Sequence, residues 1–367
     1  MISDKKKILL ITVRADHGGG PKHIFLLLKN LSKYFEFFMA CPKDEPYFNI
    51  FAKIIGYDRI FEIPHRKFRI SSFNKLKQLI REKDINIIHS HGKGGGIYGR
   101  FLSRSTGIQC IHTFHGIHIG EYNFVKKFLY LTLEKYLSHF THKFISVSDS
   151  ERDNVIALKI TKDSKISLIP NGVEITDRKL NADILSKDRL IITTITRFDF
   201  AKNSELIIPI FNQVKLMGML NKFELQIIGE GPSLIEVRNL AEENGLSGNL
   251  KFVGNINSPA EYLFNSFCYI STSRWEGLPL GVLEAMSIGL PVIATNVIGN
   301  YDLVEHLTNG FLFNIDRPEE AARYIIQLAN NTKTWTKFSE NARHKIMTNY
   351  PDRKMAKKTM ELYLSLN

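Results

Sequence analysis

Short apolar, β-branched runs alternate along this chain with longer stretches in which apolar positions recur every three or four residues. That is the pattern of βα units feeding a parallel sheet. In the first half the strand runs fall at residues 8–13, 37–40, 85–89, 110–114 and 143–147, and a helix is predicted from about residue 23 to 34. A polar stretch at 174–189 lacks an apolar period and reads as a linker. The rhythm then restarts, with strands at 190–194, 223–228, 250–254, 269–271 and 292–294 and an Asn309-Gly turn entering the last one. Helices are predicted to about 216, at 237–244, at 282–288, and from 319 and 334, the last broken near Pro351. The pattern predicts an α/β protein of two domains, residues 1–180 and 181–347, with a terminal helix in 348–367. A length of 367 residues suffices for two hydrophobic cores.

Composition changes this picture little: 44% hydrophobic and 23% charged residues describe a globular chain. No apolar run approaches the roughly 18 to 20 residues that span a bilayer, and the first residues lead into a strand without a cleavage-site pattern, so a cytoplasmic location is expected. Cys41, Cys110 and Cys268 are widely spaced and odd in number, which gives neither a disulfide framework nor a zinc spacing. Charge changes it more. Residues 1–180 carry 30 lysines and arginines against 17 acids, whereas the remainder carries 19 against 20. A basic first half implies an anionic partner. Its densest segment, residues 65–83, reads in part as a helix with Leu76, Leu79 and Ile80 on one side. The lysines are scattered without an aromatic platform for single strands, which argues against nucleic acid and leaves an acidic membrane surface. A helix predicted at 121–140 interleaves Tyr122, Phe124, Phe128 and Tyr130 with Lys126 and Lys127, a pattern that fits a bilayer interface or a core stripe.

Candidate chemistry lies at strand ends. Gly18, Gly19 and Gly20 follow the first strand and precede a helix, where backbone can approach a ligand phosphate; the Gly-x-Gly-x-x-Gly dinucleotide spacing is absent. His89 and His91 follow one strand, and His112, His115 and His118 another. These histidines could bind metal, but neither cluster contains a carboxylate and the chain has no Asp-x-Asp pair. No metal or other cofactor is therefore expected: His115 reads as a neutral hydrogen-bonding group, His89 and His112 as packing. In the second half, Arg197 and Lys202 place two cations in one loop after a strand. Glu276 lies in the loop before the helix at 282–288, and Glu284 inside it. Amides near Leu280 and Gly281, at the positive end of the helix dipole, suit an anion, and a carboxylate beside them can accept hydroxyl protons.

Taken in order, Thr196-Arg197-Phe-x-x-x-Lys202-Asn203, Gly229-Glu-Gly-Pro, Phe252-Val-Gly254 and Glu276-Gly-Leu-Pro-Leu-Gly-Val-Leu-Glu284 through Pro291 resemble the retaining glycosyltransferases of family GT4, of the type that build bacterial surface polysaccharide. Gly18 to Gly20, His115-Gly116, Val147-Ser148 and Pro170-Asn171-Gly172 extend the resemblance more loosely into the first half. It implies the GT-B architecture, two Rossmann-like domains across a cleft, with the terminal helix returning to the first. It also implies roles. Arg197 and Lys202 would hold the diphosphate of a nucleotide-sugar, expected to be UDP-linked, and stabilise the leaving nucleotide without metal. Glu284 would bind ribose hydroxyls, Glu276 the transferred sugar and His115 its hydroxyls from the opposite domain. Gly229 and the glycines at 18–20 would lie near the phosphates, and backbone near Val253 would read the base. The implied acceptor is a lipid-diphosphate-linked glycan at the inner face of the cytoplasmic membrane, where the basic domain would hold the enzyme peripherally. Thr196 and Asn300 depart from the family, which more often has glycine at both. Alternatives on the same architecture are a nucleotide-sugar epimerase or a phosphorylase. A zinc hydrolase using His89, His91, His112 and His115 is a third.

Overall fold

The computed structural model describes residues 5–117 and 119–366; the first four residues and His118, both part of the sequence reading, lie outside them. The chain divides into two compact units, one running to Gly172 and resuming at Asp352, the other spanning Val173–Pro351.

The first unit is built on a seven-stranded parallel sheet: β1 (Lys7–Ile11), β2 (Glu36–Cys41), β3 (Ile60–Glu62), β4 (Ile87–His91), β5 (Gln109–Thr113), β6 (Lys143–Ser146) and β7 (Ile166–Leu168), in the order β3-β2-β1-β4-β5-β6-β7. Ile8, Leu9, Leu10 and Ile11 are all fully buried, because helices cover both faces of the sheet and every position of β1 meets a neighbour. The sheet exceeds the sequence expectation by the three-residue strands β3 and β7, at its two edges and too short to show a period. β4 also runs two residues further than its apolar stretch. Its ladder continues to the pairing of His91 with Thr113, so His89 and His91 belong to the strand and not to the loop after it. The first helix, Gly19–Leu31, starts four residues earlier than periodicity suggests, which puts Gly19 and Gly20 in its first turn and leaves Gly18 as its cap.

The second unit holds six parallel strands, β8 (Leu190–Ile195), β9 (Phe223–Ile228), β10 (Leu250–Gly254), β11 (Cys268–Ser271), β12 (Val292–Thr295) and β13 (Gly310–Phe313), ordered β10-β9-β8-β11-β12-β13. The stretch at 174–189 is docked on this unit: Leu180 donates its amide to the Ile288 carbonyl at 3.1 Å, and Ile184 is buried. The unit begins at Val173, whose amide donates to the Tyr350 carbonyl at 2.9 Å, so both chain crossings lie side by side. The last helix, Asp352–Ser365, packs on the helix Gly19–Leu31 of the first unit. Asn30 donates to Asp352 at 2.9 Å, and the buried Tyr363 hydroxyl lies 2.6 Å from His89 Nδ1. The three cysteines are buried and free, and burial pushes the Cys110 thiol up to about 12.

Candidate active site

In the second unit the chemistry gathers where β8 and β11 end. β8 delivers Thr196, Arg197 and Lys202 in one loop braced by Asp199, a residue the sequence reading passed over. Its carboxylate accepts from Arg197 Nε and, at 3.1 Å, from the Lys202 amide. β11 leads through Ser273 to Glu276. Lys202 Nζ lies 2.5 Å from Glu276 Oε1, and the Ser273 hydroxyl donates to the same oxygen at 2.6 Å. Lys202, Glu276, Ser273, Tyr269, Pro279 and Gly281 line one small pocket. The structure brings Lys202 and Glu276 together, with Arg197 on the same loop as Lys202.

Close backbone approach shapes this pocket at two glycines. A Cβ on Gly299, at φ +85°, would come within 2.6 Å of Glu276 Cβ, and the Ile298 carbonyl accepts the Glu276 amide at 3.0 Å, so this turn backs the carboxylate. A Cβ on Gly281 would lie 2.5 Å from the Tyr269 hydroxyl. That phenol is buried, bonds both amide and carbonyl of Ile195, and is held above its ordinary pKa by burial first and then by the charges of Glu276 and Glu284. One buried hydroxyl therefore feels both acids. Glu284 sits half-buried in the helix Leu280–Ser287, which begins two residues before its predicted start and whose first turn no side chain caps. Its amino end, through Pro279 and Gly281, lines the same small pocket with the dipole's positive pole.

The remaining candidates take their places around this core. Gly229, at φ +130°, would carry a Cβ 1.8 Å from the Thr196 carbonyl, so only glycine allows the β9 and β8 loops to touch. Its amide donates to the Gly254 carbonyl at 2.8 Å, beside half-buried Val253 at the end of β10. The departures from the family also have physical partners. The Thr196 hydroxyl lies 2.9 Å from that of Ser204, and buried Asn300 donates to the carbonyl and hydroxyl of Thr295 at 3.1 and 3.0 Å, tying down the end of β12.

The first unit gathers histidines. His91 Nδ1 is 3.2 Å from His115 Nε2, and His115 adopts a left-handed backbone, φ 59°. His23, which the sequence reading took only as a helix start, packs its ring edge-on to His115 at 4.7 Å and lies 2.9 Å from Asn171 Oδ1. The amide oxygen only accepts, so His23 carries its proton on Nδ1 and leaves Nε2 as a buried lone pair with no hydrogen-bond partner among the described residues. The Pro170-Asn171-Gly172 turn was the one sequence signal for that contact. Burial holds His23 down to about 4, and His89, His91 and His112 also lie well below the ordinary imidazole value, so all four are neutral at pH 7. His89 and His112 pack within the sheet, bonded to Thr113 and Ser90. Ligand atoms of His23, His91 and His115 lie within 4.8 Å of one another, as do those of Asp16, Asp44 and His65. The four-histidine set of the hydrolase reading does not assemble among the described residues: the grouping there is His23, His91 and His115, His89 has both ring nitrogens bonded to Tyr363 and Thr113, and His112 Nδ1 is bonded to Ser90. At the glycine loop, Gly18 abuts the Arg14 guanidinium, whereas a Cβ on Gly20 would meet nothing within 4 Å.

Two parallel-sheet Rossmann-like units, each with its polar groups at strand ends, have the architecture of the GT-B fold. Residues 17–177 match the profile of Glycosyltransferase Family 4 and residues 177–345 that of the group 1 glycosyl transferases, and the chain belongs to this family. It is 26% identical over 360 residues to the Escherichia coli UDP-Gal:alpha-D-GlcNAc-diphosphoundecaprenol alpha-1,3-galactosyltransferase, covering 93% of this chain and 92% of that one. It is 25% identical over 311 residues to the Staphylococcus aureus capsular polysaccharide biosynthesis glycosyltransferase CapH, covering 82% and 84%. Among solved structures, Anabaena HepE in complex with UDP and glucose superposes with a TM-score of 0.86 at 18% identity, over 98% of this chain and 100% of that one.

Proposed function

We propose that this protein moves a sugar from a UDP-linked donor to a lipid-diphosphate-linked glycan in surface polysaccharide synthesis, with retention of configuration and without metal. The observation that carries the reading is the Lys202–Glu276 pair beside Gly281 at the start of a helix. A cation, outward amides and an acid meet there, and a nucleotide diphosphate with a pendant sugar needs all three. Arg197 and Lys202 neutralise the charge that grows on the departing diphosphate, and Glu276 accepts hydroxyls of the sugar. Glu284 accepts those of the ribose, and Val253 and Gly229 supply backbone for base and phosphate. In the first unit His115, with Gly18 to Gly20, is given the hydroxyl- and phosphate-contacting part. The UDP and acceptor assignments draw on the names of the galactosyltransferase and HepE. The basic first half suits an acceptor displayed on an anionic membrane, and among the described residues no helix is long and apolar enough to cross one.

The test is UDP release from a panel of donors with and without a lipid-diphosphate-linked glycan. Release that requires the acceptor, persists in EDTA and gives a product with the donor's anomeric configuration is expected. Conversion of the donor alone would instead point to an epimerase, and an inverted product would remove retention.

A further inference from the structure

Among the described residues, the helix Phe124–Ser138 fully buries side chains only in its second half. Glu134 and Leu137 are buried, and Glu134 forms a buried ion pair with Arg100. The first six residues of the helix are all exposed, and four of them are large and apolar: Phe124 at 83%, Val125 at 63%, Phe128 at 60% and Leu129 at 61%. A core stripe would bury such residues, so of the two readings this pattern allows in the sequence, the core reading fails for this half of the helix. Lysines flank the apolar face. Lys126 Nζ stands 4.2 Å from the Tyr122 ring centre and Lys93 Nζ 4.3 Å from that of Tyr130, and a groove of about 420 Å³ runs between them over Val125, Leu129 and Leu133.

We propose that this half-helix is the membrane-inserting element of the protein, with Phe124, Val125, Phe128 and Leu129 entering the acyl region of an anionic bilayer while Lys93, Lys126 and Lys127 meet its phosphates. The occupant follows from charge and shape together. An amphipathic helix with apolar residues on one side, lysines beside them and tyrosines at their edge matches the layered polarity of a lipid interface. The excess of positive charge in residues 1–180 is complementary to acidic headgroups and not to a second, equally basic copy of the same face. The proposal rests on the reading that the acceptor is membrane-held and adds which residues make contact and by what force: insertion, not long-range charge alone.

Vesicle binding tests it without turnover, so its failure and that of the transferase reading are separable. Wild-type protein is expected to co-sediment with phosphatidylcholine vesicles containing about a third phosphatidylglycerol and to keep part of that binding at about 0.5 M salt, where surface charge is screened. The double substitution Phe124→Ser/Phe128→Ser should weaken binding by roughly tenfold or more. Both rings are exposed, so circular dichroism and the melting temperature should be unchanged. In Phe124→Trp, emission measured against the wild-type background should shift to the blue on vesicles and be quenched by brominated acyl chains. Binding that vanishes at high salt, or a double variant that binds as well as wild type, overturns the proposal. So does a blue shift that needs no vesicles and accompanies dimer formation in sedimentation, which would assign the face to a second copy.

Discussion

Lys202 Nζ lies 2.5 Å from Glu276 Oε1, so the cation given to the donor's diphosphate is held by the acid given to its sugar. An incoming diphosphate competes with that carboxylate for the ammonium and is also repelled by it. Glu276→Gln should therefore leave UDP affinity unchanged or raised while turnover collapses. Lys202→Met should weaken UDP binding roughly tenfold or more, the loss of a charge-assisted contact worth about 1.5–3 kcal/mol. Calorimetric titration of UDP into the single and double variants checks this, and the pair should be non-additive because the groups touch.

Two glycines should separate fold from function. Gly299 at φ +85° presses on Glu276, and Gly299→Ala should lower stability by about 1–3 kcal/mol and reduce turnover with it. A methyl on Gly20 meets only open space in the first turn of a helix, so Gly20→Ala should keep or raise the melting temperature. Any fall in transfer by Gly20→Ala would then report a ligand approaching that backbone. Thermal melts beside donor and acceptor kinetics for both variants make the comparison.

How far these groups were legible in the sequence depends on how local they are. Arg197, Lys202, Glu276 and Glu284 stand in loops and a helix whose order follows from apolar runs and turn residues, so their placement after strand ends could be expected. His23, Asp199 and Asn171 could not be read the same way. His23 meets Asn171 only because the end of the first unit folds beside its first helix, a contact of 148 positions' separation. The apolar run of β4 ends before its last, polar residues, yet these complete a hydrogen-bonded ladder with β5. Likewise the helix at 124–138 shows one aromatic pattern whose inner and outer halves are distinguished only by what packs on them.

The ion pair Arg100–Glu134 makes a stability claim that owes nothing to the active site. Both groups are buried, with side chains 0% and 2% exposed, and Arg100 contacts the two carboxylate oxygens at 2.6 and 3.1 Å. Removing one partner leaves a buried charge alone, so Glu134→Leu should cost about 3–5 kcal/mol. Arg100→Met/Glu134→Leu should recover most of that loss. Urea denaturation of the two variants measures it; a single variant as stable as wild type would show that water reaches the site.

Acid should destabilise the first unit through its histidines. His23 titrates near 4 in the folded chain because burial penalises its charged form, and His89, His91 and His112 are depressed for the same leading reason. Their ordinary value in an unfolded chain is about 6.5. Between those limits the unfolded state binds more protons than the folded one, so stability is full above about pH 6.5 and falls as pH drops toward 4. His23 alone accounts for roughly 3 kcal/mol of that loss once pH has fallen to about 4. Its Nδ1 contact with Asn171 is a bond that a glutamine amide can replace, so His23→Gln should fold and should flatten the acid limb. Urea midpoints at pH 7.5 and about pH 5 for wild type and His23→Gln give the difference directly. An equal loss in both proteins would mean that His23 is already protonated in the native state.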